Sequence, residues 1–147
     1  MDARRITLTA LVAVAAFGTA ACGGGGTVAV TLQEFSIIPD SDSAAAGEVT
    51  FEATNEGPND PHELVVIRTD LASDALPMSE EGGVDEEGEG IDEVIGEIEE
   101  FPVGETESAT FDLDAGSYVL ICNVVEEEDG ELESHYVEGM HTSFSVE

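Results

Sequence analysis

The sequence predicts an all-β domain, a sandwich or a barrel, because short segments of strand pattern recur along the chain and turn-forming clusters separate them. Alternating or β-branched apolar segments occupy residues 27–32, 48–53, 63–69, 106–113, 117–123 and 142–146. Clusters of Pro, Gly, Asn, Asp and Ser lie between them at residues 39–42, 55–61 and 114–116. At 147 residues the chain has the length of about one domain.

The first 26 residues have the pattern of an export signal and a tether. Two arginines precede an apolar run over residues 6–17, which is short for a membrane span of about 20 residues. The run Ala-Ala-Cys at residues 20–22, followed by four glycines, resembles a bacterial lipobox, although Thr19 stands where that motif usually has an aliphatic residue. We therefore expect a signal peptide at residues 1–21, a lipidated Cys22 with a glycine tether at residues 22–26, and a folded domain at residues 27–147. A plain cleaved signal and an uncleaved anchor are the alternatives.

Such an anchor implies an exported protein held at the outer face of the cytoplasmic membrane, on its extracellular or periplasmic side. If Cys22 carries a lipid, Cys122 is a free thiol in an exported protein, which is unusual unless a metal holds it. If Cys22 stays a thiol, a disulfide to Cys122 is the alternative. The flexible glycines place that pairing poorly.

Acidic residues dominate the composition. The chain has 34 Asp and Glu against three Arg and no Lys, which gives a formal net charge of -31. This surface repels nucleic acid and anionic headgroups, so we expect no nucleic-acid partner. It suits high salt, where a Debye length of about 3 Å at 1 M screens neighbouring carboxylates. We infer a halophilic or salt-tolerant source.

One acidic segment, residues 79–100, breaks the strand pattern. Ile91, Val94, Ile95 and Ile98 have helical spacing, so a short amphipathic helix is one interpretation. Gly96 weakens that helix, and we favour a solvated excursion between strands. The segment lacks the ligand order of an EF-hand, which argues against specific calcium binding.

Four side chains have the types and the chain order that a copper site needs. His62 lies in one turn cluster, and Cys122, His135 and Met140 follow near the C-terminus. An ion that cycles between cuprous and cupric states is suited by a soft thiolate, two imidazoles and a weak thioether. His141 is a spare histidine, and in a strand it points away from Met140. Each residue alone has an ordinary explanation, such as a buried Cys or a core Met.

With these residues the chain resembles the cupredoxins, the family of plastocyanin and azurin. The spacing His-Tyr-Val-Glu-Gly-Met at residues 135–140 matches that family, and Asp-Ala-Gly-Ser-Tyr at residues 114–118 resembles the tyrosine corner of Greek-key proteins. The resemblance implies a Greek-key β-sandwich or barrel that holds one mononuclear copper ion. His62, Cys122 and His135 would form the trigonal plane and Met140 the axial contact.

The interval from Cys122 to His135 is longer than the family usually has, because it contains the twelve residues 123–134. Asp129-Gly130 is a strong signal for a two-residue hairpin turn. That turn pairs Glu128 with Glu131 and Glu126 with Glu133, and continued register places His135 opposite Val124 and Cys122 opposite Val137. Cys122 and His135 would then be diagonal neighbours, about 7–8 Å apart between α-carbons. We expect a hairpin that tightens with salt.

The resemblance implies one-electron transfer to a redox protein in a respiratory or other exported chain, with the membrane contacted through the N-terminal lipid. Four protein ligands leave no open position for a substrate, so we expect no enzyme activity. Two alternatives stay open: a copper-binding or delivery lipoprotein whose ion is cargo, and a metal-free β-sandwich used for adhesion or as a scaffold.

Overall fold

The computed structural model describes residues 24–147, and within that range nearly all regular structure is β. The strands are β1 (Gly25–Gln33), β2 (Ser36–Pro39), β3 (Ser43–Ala44), β4 (Gly47–Gly57), β5 (His62–Arg68), β6 (Glu93–Phe101), β7 (Thr106–Leu113), β8 (Gly116–Ile121), β9 (Val125–Glu128), β10 (Glu131–Ser134) and β11 (His141–Val146). In the same range one short helix, α1 (His135–Glu138), precedes β11. The expected all-β class is confirmed.

The expectations for the N-terminus fall mostly outside the described residues. Both the signal peptide at residues 1–21 and the lipidation at Cys22 do so. β1 begins at Gly25, so the last two glycines of the expected tether pair with Glu48 and Val49 of β4. Across residues 24–147, none of the helical structure is long and apolar enough to cross a membrane.

Two sheets face each other across one core. The smaller sheet has the strand order β2-β1-β4-β7 and the larger has β3-β11-β8-β5-β6. Within these sheets β1 runs parallel to β4 and β3 parallel to β11, and the other neighbours are antiparallel. Alternate side chains from both sheets fill the space between them, such as Phe51 of β4 and Leu64 of β5. The Phe51 and Phe144 rings meet edge to face with centroids 5.4 Å apart, which links the two sheets.

The six strand segments expected from the sequence coincide with β1, β4, β5, β7, β8 and β11. In β1 and β4 the alternation has the predicted cause, because one face is buried and the other meets solvent, whereas β5 and the end of β8 are buried on both faces. In β4, for example, Val49, Phe51 and Ala53 are buried, whereas Glu52 between them is exposed.

Tyr118 closes the corner between β7 and β8. Its hydroxyl donates a hydrogen bond of 2.8 Å to the backbone carbonyl of Asp114, so the expected tyrosine corner is confirmed. Arg68 ends β5 and lies over the Tyr118 ring, with its guanidinium carbon 5.9 Å from the ring centroid. It also pairs with the Asp114 carboxylate at 3.6 Å. Arg68 is the one arginine or lysine among residues 24–147.

The helix considered for the acidic segment is wrong, because three of its four apolar residues belong to β6 and Ile91 lies just before that strand. Val94 packs on the outer face of the larger sheet, while Ile95 and Ile98 face the core between the sheets. The ladder with β5 skips Ile95, pairing Val66 with Gly96 and Ile67 with Val94. This bulge breaks the period of two and leaves apolar residues at spacings that imitate a helix.

The connection over residues 69–92 covers the outer face of the larger sheet. Its Leu76 and Val84 are buried, at 5% and 4% exposed, and pack with Val65 and Ile121 in a second apolar cluster. The interpretation of residues 79–100 as a solvated excursion is therefore wrong at Val84, which is buried, and over the residues that form β6.

The residues between Cys122 and His135 form the expected hairpin. Asp129 and Gly130 both have positive φ, 54° and 85°, as a two-residue turn requires. β9 and β10 pair in the predicted register, from Glu128 with Glu131 to Val125 with Ser134.

The continuation beyond the hairpin differs from the expectation. Ser134 caps α1 by accepting from the Val137 backbone N–H, and Gly139, at φ 126°, ends the helix. The predicted pairing of Cys122 with Val137 is therefore wrong: the Cys122 N–H donates instead to the Met140 carbonyl at 3.1 Å. The helical turn, rather than a longer strand, returns the chain to the sheet.

Candidate metal centre

The four predicted ligand residues meet at one edge of the larger sheet. His62 begins β5, Cys122 directly follows β8, His135 begins α1 and Met140 directly precedes β11. Since β8 is antiparallel to both neighbours, the start of β5, the end of β8 and the start of β11 lie at the same edge. All four residues are 0% exposed.

Three donor atoms face one another inside this cluster. The Nδ1 atoms of His62 and His135 are 3.2 Å apart, and the Cys122 Sγ is 3.4 Å from Nδ1 of His135 and 4.0 Å from Nδ1 of His62. Met140 is buried beside these residues and is hydrogen-bonded to two of them through its backbone. Its carbonyl accepts from Cys122, and its N–H donates to the His135 carbonyl at 2.9 Å.

Burial shifts the pKa values of two of the predicted ligand residues. It raises the pKa of the Cys122 thiol to about 12, more than the backbone hydrogen bonds from Glu63 and Val124 lower it. Burial, followed by the charge of His135, lowers the pKa of His62 despite nearby carboxylates. The lowered pKa favours the neutral imidazole of His62, the form in which histidine binds metals.

The loop before His62 is fixed by two polar side chains that the sequence analysis did not single out, the buried Asn55 and the half-buried Glu34. The Asn55 amide donates to the carbonyls of Asp60 and Phe101 at 2.9 and 3.1 Å. Glu34 accepts the backbone N–H groups of Asn59 and Asp60 through Oε1. The turn pattern at residues 55–61 indicated a loop, but it gave no signal for Glu34, which lies far away in the sequence.

The residues that directly follow two ligands also hold the site together. The Glu63 N–H points at the Cys122 sulfur at 3.5 Å, and the Glu63 carboxylate accepts the Asn123 N–H at 3.0 Å. Burial raises the pKa of this carboxyl to about 7. The Asn123 side chain accepts from the Val84 N–H at 2.6 Å. This hydrogen bond ties residues 69–92 to the metal end, the end of the sandwich that carries the four predicted ligands. The sequence signal that could have identified Glu63 and Asn123 was their position directly after a predicted ligand.

His135 has a different environment at each ring nitrogen. Nδ1 faces the cysteine, whereas Nε2 is buried without a hydrogen-bond partner and has Glu126 of β9 at 3.7 Å. The Phe35 ring meets the imidazole edge to face, with centroids 5.3 Å apart. The hairpin therefore covers the edge of this histidine.

His141 lies outside the cluster, on the other side of its strand. Its Nδ1 is 3.2 Å from the Ser73 hydroxyl, and its ring packs on Tyr136 with centroids 5.1 Å apart. It is the spare histidine that the strand alternation indicated.

The donor set fits copper. One thiol, two imidazole nitrogens that face each other and a buried methionine are the soft and borderline donors that suit both oxidation states of that metal. A structural zinc site would have a harder or thiolate fourth donor in place of the thioether.

Comparisons with known proteins give a fold but no sequence relative. No family model matches the chain, and no curated protein is significantly similar to it. The structure is similar to dithionite-reduced auracyanin from the photosynthetic bacterium Roseiflexus castenholzii, with a TM-score of 0.57, 18% identity, and 85% of this chain and 99% of that chain covered.

Two further solved structures agree. An azurin from the obligate methylotroph Methylomonas sp. strain J has a TM-score of 0.52 and 17% identity, covering 82% of this chain and 97% of its own. Auracyanin A, described as a "blue" copper protein from Chloroflexus aurantiacus, has a TM-score of 0.52 and 19% identity, covering 84% and 100%. The chain therefore has the cupredoxin fold, and its cluster of His62, Cys122, His135 and Met140 fits one mononuclear copper ion.

Proposed function

We propose that this chain is a mononuclear blue copper protein that transfers single electrons outside the cytoplasmic membrane. The observation that carries the proposal is the convergence of the Cys122 sulfur and the two histidine Nδ1 atoms, within 4.8 Å of one another, in a buried cluster. The similar solved structures support it by fold, since one of them is described as a "blue" copper protein.

The arrangement suits electron transfer because regular structure holds the donors. Nδ1 of His62 and Nδ1 of His135 face the Cys122 sulfur, and Cys122 would lose its proton on binding copper, which offsets part of the affinity. A bound copper ion supplies a reversible one-electron couple. Each of the four residues begins or directly adjoins a strand of the larger sheet or α1, which limits its movement.

Burial argues against the two other readings of the sequence. A cargo site has to release its ion, but each of the four residues here is 0% exposed and the hairpin covers His135. A scaffold without metal would leave the Cys122 thiol, two imidazoles and their unpartnered Nε2 atoms buried with no role, at a cost in desolvation.

The location and partner follow from the N-terminal pattern and the charge. We take residues 1–21 as the export signal and Cys22 as the lipid-bearing residue that holds the domain at the outer face of the membrane. The partner is then an exported redox protein. With a net charge of -31, a partner with a cationic docking patch is favoured at low salt, and contact shape decides at high salt.

The test is to add cupric ion to the purified protein. We expect about one copper per chain, an intense visible thiolate-to-copper band, and reversible bleaching by a reductant. Cys122→Ser should remove the band. A colourless cuprous complex that a chelator strips readily would favour cargo handling, and a copper content unchanged by Cys122→Ser would overturn the site.

The anchor has its own test. Cells fed a labelled fatty acid should label the exported protein, and Cys22→Ser should abolish the label and release the protein from membranes. Membrane retention without label would indicate an uncleaved signal instead.

A further inference from the structure

The outer edge of His135 is enclosed by a feature that lies between two of the proposed ligands. Residues 125–134 fold back as the β9–β10 hairpin, and the His135 N–H is bonded to the Val124 carbonyl at 3.0 Å. The imidazole is 0% exposed as a result.

The enclosure leaves Nε2 of His135 with an unmet need. This atom is buried and has no hydrogen-bond partner. When Nδ1 is the donor to a metal, Nε2 of a neutral imidazole carries the hydrogen. A buried N–H without an acceptor destabilises the folded protein by the free energy of its desolvation.

Carboxylates surround this histidine. Glu126 Oε2 is 3.7 Å from Nε2, and one oxygen each of Asp60 and Glu133 lies within 4.8 Å of a ring nitrogen of His135. The Glu126 side chain is 39% exposed, so it has room to move closer to Nε2. Shortening the distance from 3.7 Å to about 2.8 Å would form a hydrogen bond of ordinary length.

We propose that Glu126 accepts the Nε2–H of His135 in the copper-loaded protein and thereby favours the cupric over the cuprous state. The inference rests on the proposed function and adds a role for the inserted hairpin. Glu126 is a positioning residue: it acts through His135 and does not touch the metal.

Two physical effects point the same way. A carboxylate acceptor on the outer nitrogen fixes the ring and raises the basicity of the inner nitrogen, which strengthens its bond to the more highly charged ion. The negative charge itself, partly shielded from water by the hairpin, also stabilises the higher oxidation state. A hairpin that carried neutral residues would cover the histidine without this bias.

The experiment compares the reduction potential of Glu126→Gln with that of Glu127→Gln at one pH and one salt concentration. The two variants lose the same charge from neighbouring positions of β9, but Glu127 is exposed on the opposite face. We expect Glu126→Gln to weaken cupric relative to cuprous binding about tenfold, which raises the one-electron potential by about 59 mV. Glu127→Gln should change the ratio less than about twofold, because solvent and salt screen it. Equal shifts would overturn the proposal.

A second measurement follows the hydrogen itself. In the diamagnetic cuprous protein, labelled with nitrogen-15, the His135 Nε2–H should exchange slowly and resonate downfield. We expect Glu126→Gln to move this signal upfield and Glu127→Gln to leave it in place. A signal that is the same in all three proteins would overturn the proposal, even if the potential shifts.

These outcomes separate the inference from the proposed function. If the unaltered protein forms no visible thiolate band with copper, the proposed function fails. If the band forms in all variants but the potential and the Nε2–H signal ignore Glu126, only the role of Glu126 fails. An unchanged far-ultraviolet circular dichroism spectrum verifies that Glu126→Gln folds.

Discussion

The metal end of the sandwich and the β9–β10 hairpin lie side by side but are held by different means. Cys122 and Met140 are fully buried and joined by a backbone hydrogen bond that continues the β8–β11 ladder. The hairpin has one ladder of four residue pairs, and Leu132 in it is 63% exposed. Glu126 and Glu133 face each other across it. Apolar burial fixes the first region, whereas the second depends on its two-residue turn and on the hydrogen bonds of its ladder.

The difference shows why a long insertion between two ligands leaves the site intact. The hairpin departs after Val124 and returns at His135, and the hydrogen bond between those residues closes it. Because the free energy of loop closure grows slowly with length, extra residues on a closed stem have little cost. The ligands take their positions from the sheet rather than from the loop.

The sharpest way to break this comparison is to remove one histidine that lies in the cluster and one that lies outside it. His135→Ala should lose the visible band and more than the roughly 100-fold in copper affinity that an outer partner can be worth. His141→Ala should keep both, because His141 contacts Ser73 and Tyr136 instead. Copper titration followed by visible absorption checks this. Equal losses in the two variants would mean that the ligand set is wrong.

Stability of the metal-free protein gives the next largest contrast. Met140→Ala removes a fully buried side chain and should lower the free energy of unfolding by about 2–5 kcal/mol. Leu132→Ala, at an exposed hairpin position, should stay within about 0.5 kcal/mol. Urea unfolding in the presence of a chelator measures both. A large effect of Leu132→Ala would show that the hairpin is part of the cooperative core.

The pH dependence of stability should separate Glu63 from the hairpin glutamates. The pKa of Glu63 is raised from 4.5 to about 7 in the folded protein, chiefly by burial. The folded state therefore binds more protons between these values, so this contribution is fully present below pH 4.5 and is lost as pH rises through 7. Glu63→Gln keeps an acceptor for the Asn123 N–H and should remove about 1–3 kcal/mol of that loss.

The control for Glu63 is Glu127→Gln in the hairpin. It should leave the difference in unfolding free energy between pH 4.5 and 7.5 close to that of the unaltered, metal-free protein. If Glu63→Gln has the same pH dependence as Glu127→Gln, the buried carboxyl is not the source.

Salt should produce the smallest effect and confine it to the hairpin. Raising salt from 0.1 to 1 M shortens the Debye length from about 10 to 3 Å, which relieves facing glutamates worth about 0.2–1 kcal/mol per pair. Amide hydrogen exchange over residues 125–134 should slow. The β5–β8 ladder is the internal control, because its facing pairs include Val65 with Ile121 and Val66 with Leu120 rather than two acidic residues. Hairpin protection that ignores salt would contradict the prediction.

The strands and the ligand order could be predicted because each rests on a local pattern. Alternation identified β1 and β4, and the Asp129-Gly130 pair identified the hairpin with its register. The types and order of the four ligand residues indicated copper. The strand and turn signals need only neighbouring residues, and the copper signal needs only the types of four residues and their order along the chain.

The parts that could not be predicted depend on contacts between distant residues. The bulge at Ile95 arises from pairing with β5, so the sequence of β6 alone imitates a helix. The helical turn at His135 depends on the Ser134 cap competing with strand continuation. Glu34 reaches the His62 loop through backbone N–H groups and leaves no sequence motif.

Arg68 is the one residue among residues 24–147 after which trypsin can cut. The whole chain offers this protease three arginines and no lysine, and two of the arginines lie in the first five residues. The third ends β5, which has β8 on one side and β6 on the other. Because proteases cut segments that can leave their sheet, we expect cleavage after Arg68 to require the end of β5 to separate from its neighbours. Its rate would report that opening at a single bond, because residues 24–147 contain no other arginine and no lysine.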